Sequence, residues 1–70
     1  MKMIFVVFSV WENDKCYAYA DTIKVGENLV YHIQRTHCTT CEVCATREEA
    51  NELARRWNED YKADGTSIYN

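Results

Sequence analysis

Seventy residues with eleven acidic and eight basic side chains make one small, mildly acidic domain of net charge −3. Its few, scattered basic residues disfavour nucleic-acid binding, which needs clustered lysine and arginine to neutralise phosphates. With 47% hydrophobic residues, 13% aromatic ones and no proline, the composition is too rich in core-forming material for a disordered chain, and no apolar run approaches the length that crosses a bilayer.

Residues 3–11, MIFVVFSVW, are expected to form a strand that is apolar on both faces. Phe5, Val7 and Trp11 point one way, and Ile4, Val6, Phe8 and Val10 the other, as in a central strand covered on both sides. Glu12-Asn13-Asp14-Lys15 supplies turn residues, and residues 16–23 return as the second strand of a hairpin. There Cys16, Ala18 and Ala20 alternate with Tyr17, Tyr19 and Asp21. The small face lets a helix approach closely, with Trp57 a candidate to fill the space above it. The tyrosine face is larger and amphipathic, suited to partial exposure or to another subunit.

Lys2, the apolar run from Met3 to Trp11 and Ala18-Tyr19-Ala20 together imitate a secretory leader with a small-x-small cleavage site. Glu12, Asp14 and Lys15 place charge where a cleavage region carries little, and cleavage would remove the most strand-like segment. A cytoplasmic protein is therefore expected, in which the four cysteines are thiols or ligands rather than disulfides.

Residues 26–35, GENLVYHIQR, fit two elements. Leu29, Tyr31 and Ile33 alternate like a strand, while Asn28 as N-cap and the i, i+4 pair Leu29/Ile33 suit a short helix over 27–35, which is preferred. A strand is expected at 41–45. A helix over 47–63 is the clearest element. Thr46 and Glu49 form a capping box, and Ala50, Leu53, Ala54, Trp57 and Tyr61 make one apolar stripe. Gly65 is its stop, and Thr66 to Tyr69 are expected to add a short edge strand or a docked tail.

Cys38, Cys41 and Cys44 are spaced C-x2-C-x2-C, with His37 adjacent and His32 nearby. Three thiolates and an imidazole would complete a tetrahedral zinc site. Structural zinc sites more often join two separated ligand pairs, however, and an iron–sulfur spacing fails because position 48 is Glu. In a strand over 41–45, Cys41 and Val43 share one face while Glu42 and Cys44 share the other. Reduced cysteine is a small apolar residue that suits a tight helix–sheet contact, so core thiols are favoured over metal ligands.

YAYA at 17–20, Asn28-Leu29 with Ile33, and VCATREEANELARRWNEDYKADGT at 43–66 carry a resemblance. The chain resembles a family of small uncharacterised bacterial proteins of accessory or mobile-element type, whose C-terminal helix follows a Cys-x-Thr-x-x-x-Ala…Trp-Asn-x-x-Tyr-Lys-x-Asp/Asn-Gly-Thr pattern. The resemblance implies no activity. Its pattern has an apolar residue near position 38 and a small one near 41, which also favours core cysteines.

The expected fold is α+β: a three-stranded sheet in order 2-1-3, with hairpin 3–11/16–23, strand 41–45 and the helix 47–63 on one face. The acidic cluster of Glu48, Glu49, Glu52, Glu59 and Asp60 is expected to be a solvated helix face. No Ser/His/Asp relay or phosphate loop is evident, so an enzyme is not expected. One helix covers one face of a strand that is apolar on both. The expected function is thus a non-enzymatic protein-interaction module without a cofactor, a homodimer or a binder of another protein. Contact is expected through Tyr17 and Tyr19 or an open sheet edge, with Asn58 a further interaction candidate. The alternative is a small zinc-binding domain using His37, Cys38, Cys41 and Cys44.

Overall fold

The computed structural model describes residues 3–24 and 38–69. Three strands, β1 (Met3–Glu12), β2 (Lys15–Lys24) and β3 (Cys38–Cys44), precede one helix, α1 (Arg47–Asp64). The candidate helix over 27–35 and both histidines lie outside the described residues.

The hairpin forms where the sequence places turn residues. Asn13 and Asp14 adopt positive φ of 51° and 65°, the pattern of the two-residue turn whose twist matches that of the flanking strands. Strand β1 is central, antiparallel to β2 on one side and to β3 on the other, in the expected order β2-β1-β3. Strand β3 starts earlier than the predicted residue 41. Thr40 pairs with Ser9 and Cys38 with Val10, so Thr39 is an extra residue at a register irregularity, which period-two patterning cannot reveal.

Helix α1 follows its cap signals closely. The Thr46 hydroxyl accepts from the Glu49 amide at 3.1 Å, and the Glu49 carboxylate reaches back to the Ala45 amide at 3.3 Å. Gly65, at φ 76°, ends the helix in the left-handed region, where any side chain would be strained.

The helix lies over β2 and β1 because small residues meet there. Val7, Ala18, Ala50 and Ala54 form a buried cluster, with Phe5, Ala20, Cys44, Leu53, Trp57 and Tyr61 packed around it. Over the small face of β2 runs the row Ala50, Ala54 and Asn58, the last bonded to Ala18, and Trp57 packs against the same cluster while also lining a hollow with Thr40 of β3. Two small surfaces in contact bring helix and strand close, and this draws α1 towards β2 and away from β3. Ser9 is buried and hydrogen-bonded to the Tyr61 hydroxyl at 2.7 Å, a polar tie within the apolar layer beside that of Asn58 to Ala18.

The opposite face of the sheet is also buried. Val6, Phe8 and Ile23 are at most 2% exposed, with Ile4, Tyr19 and Cys41 packed around them. Burial of each such side chain contributes about 1.5–3 kcal/mol.

Candidate functional site

The two outer edges of the sheet differ, and the difference locates the candidate site. On β2, the Ala18 N–H donates to Asn58 Oδ1 and the Ala18 C=O accepts from Asn58 Nδ2, both at 2.8 Å. Two residues away, the Cys16 N–H donates to Thr66 O at 2.7 Å and the Cys16 C=O accepts from Ile68 N–H at 3.1 Å, so the tail docks as a single parallel bridge between Cys16 and Ser67. The Thr22 amide is held by Asp21 Oδ1 at 2.8 Å. Helix and tail thus supply partners for main-chain groups that an edge strand otherwise leaves open.

These bonds also fix which way the main-chain groups of β3 point. The peptide groups of Ala18 point away from β1, so those of its partner Ser9 point towards β3 and bond Thr40. By alternation Glu42 and Cys44 turn their main chain to β1, and Val43 turns its N–H and C=O outward. Val43 is also 54% exposed.

Beside this edge lies a cleft of about 550 Å³. One wall is the end of β3, residues 42–45; the other is the first turns of α1, with Leu53 and Cys44 as apolar lining. It continues along the flank of α1 into hollows of about 440 and 210 Å³ reaching Trp57 and Tyr61. The cleft is the part of the sheet that α1 leaves uncovered by lying towards β2.

Its rim is acidic: Glu42, Glu48, Glu49 and Glu52 face one arginine, Arg56. Arg55 is committed elsewhere, to Glu52 and, at 2.6 Å, to Glu59. The bond from Arg55 holds the exposed Glu52 carboxyl below its ordinary range. Glu42 and Glu48 have no ion-pair partner among the described residues. Desolvation pushes the Cys44 thiol above its ordinary pKa, and the charges of Glu42 and Glu49 add to the shift.

The residues singled out from the sequence are dispersed. Tyr17 and Tyr19 stack at 6.0 Å, and Tyr19 packs on Phe8 at 5.4 Å, on the face away from the helix. Asn58 has both ends of its amide committed to Ala18. Cys44 pairs with Phe5 and packs on the helix side, whereas Cys41 pairs with Phe8 and packs on the other side, so these two thiols cannot face one ion. Of the remaining candidate zinc ligands, Cys38 pairs with Val10 and His37 lies outside the described residues. Sequence reasoning took Glu48, Glu49 and Glu52 as a solvated helix face, Leu53 as part of the apolar stripe of the helix, and Glu42 and Val43 only as residues on opposite faces of a strand. The available signal was a strand end, Glu42 to Cys44, that runs directly into an acidic first helical turn.

No helix among the described residues is long and apolar enough to cross a membrane. Comparison of the chain with protein-family models, curated proteins and solved structures gives no match.

Proposed function

We propose that the chain is a small non-enzymatic protein-interaction module that engages a partner protein through the outer edge of β3 and the cleft beside it. One contrast carries this reading: strand alternation turns the Val43 main-chain groups outward at the mouth of a cleft, with no partner among the described residues, while the equivalent groups at Cys16 and Ala18 on β2 are taken up within the chain. An unpaired edge beside an apolar-lined cleft is the arrangement used when an extended segment joins a sheet.

A homodimer is the second reading. The stacked Tyr17 and Tyr19 favour it, because half-buried tyrosines are well suited to an interface. The two readings separate in one experiment. A photo-crosslinking amino acid is placed at position 43, at position 17 or, as control, at position 14 in the opposite turn. A discrete adduct to another protein from position 43 alone supports the first reading. An adduct of twice the chain mass from position 17 supports the second. Equal labelling from position 14, or none from 43 and 17, overturns both.

A further inference from the structure

We infer that the partner segment is an extended, basic strand of another protein, in which lysine or arginine alternates with apolar residues. This rests on the β3-edge reading above and names the chemistry that fits it. The main chain of such a segment would pair with the Val43 N–H and C=O. Its alternate side chains would then fall on the two faces of the sheet. On the helix side they enter the cleft, where Leu53 and Cys44 offer apolar contact and Glu42, Glu48, Glu49 and Glu52 form the rim.

Charge complementarity selects this occupant over a second copy of the chain. Pairing of two β3 edges about Val43 would set Glu42 of each copy beside the helix start of the other, where Glu48 and Glu49 already stand. Like charges placed opposite one another destabilise strand pairing and suppress wrong partners. A basic strand meets the same carboxylates favourably. Glu42 and Glu48, which have no ion-pair partner among the described residues, are the two that gain most.

The test uses the full chain and two labelled peptides, one alternating lysine with valine and one alternating glutamate with valine. Binding is followed by fluorescence anisotropy and by amide shift changes at Val43 and Leu53. The lysine peptide is expected to bind at least about 10-fold more tightly than the glutamate peptide, and to weaken as salt rises from low to physiological strength. Val43→Pro removes the outward N–H and is expected to abolish binding. Should that variant fold poorly, Glu42→Lys with Glu48→Lys is expected to weaken the lysine peptide about 10-fold while restoring binding of the glutamate peptide.

Undiminished binding of the lysine peptide to folded Val43→Pro would show bare charge attraction and overturn the inference. Equal binding of both peptides would also overturn it. If position 43 crosslinks to another protein but the lysine peptide does not bind, the interaction reading stands and the basic partner is refuted. Absence of both results refutes both.

Discussion

The two edge strands of this sheet solve the same problem in opposite ways. Along β2 the chain spends an asparagine, a capped helix end and a C-terminal tail on pairing outward main-chain groups at Ala18 and Cys16. Along β3 it leaves Val43 turned outward and half exposed. Exposed edges invite association with other chains, and natural sheets usually blunt them. The contrast between the paired groups at Cys16 and Ala18 and those of Val43, which have no partner among the described residues, is what the proposed edge site rests on.

The largest effect is expected at the closed edge. Asn58→Ala removes both amide contacts and strands the N–H and C=O of Ala18 beneath the helix, costing about 2–4 kcal/mol. Urea unfolding at constant m-value measures it; a loss within about 0.5 kcal/mol would show that solvent replaces Asn58 without cost. Ending the chain at Gly65 removes the bridge to Cys16 and the buried Ser67. A loss of about 2 kcal/mol is expected, with greater self-association of the newly opened edge. Unchanged stability and solubility would deny the tail its edge-closing role.

A pair of prolines sharpens the comparison. Ala18→Pro deletes a donor that is used at 2.8 Å and is expected to cost about 2 kcal/mol or more. Val43→Pro deletes a donor without a partner and is expected to stay within about 1 kcal/mol of the parent. Equal losses would mean that the two edges are not distinct. Smallest in order is Tyr61→Phe, which removes the bond to Ser9 under the helix and is expected to cost about 1 kcal/mol in thermal or urea unfolding.

Much of this fold could be read from local pattern. The hairpin and the capped helix followed from periodicity and turn chemistry at short range, the strand order from a first strand apolar on both faces, and the tail was legible only as an edge strand or a docked segment. The opposite orientation of Cys41 and Cys44 followed from strand alternation alone. The partner of Asn58 did not, because which main chain a helix side chain meets depends on how the helix lies on the sheet. The same tertiary choice lets Trp57 line a hollow with Thr40 of β3 as well as pack on the Ala18 cluster. It also turned a stretch of acidic residues, unremarkable on a solvated helix, into the rim of a cleft. That choice is itself traceable to sequence: Ala18 and Ala20 face Ala50 and Ala54, small against small, and a helix drawn there covers β3 least. Thr39, the extra residue at the irregular end of β3, carries no comparable signal.

The central claim is that one edge is closed and the other open, and amide hydrogen exchange of the dilute, monomeric chain tests it most directly. The amides of Cys16, Ala18 and Ile68 should be protected, and that of Val43 should exchange at close to the rate of an unstructured peptide. Protection of Val43 equal to that of Ala18 would contradict the claim and remove the basis for placing a partner at β3.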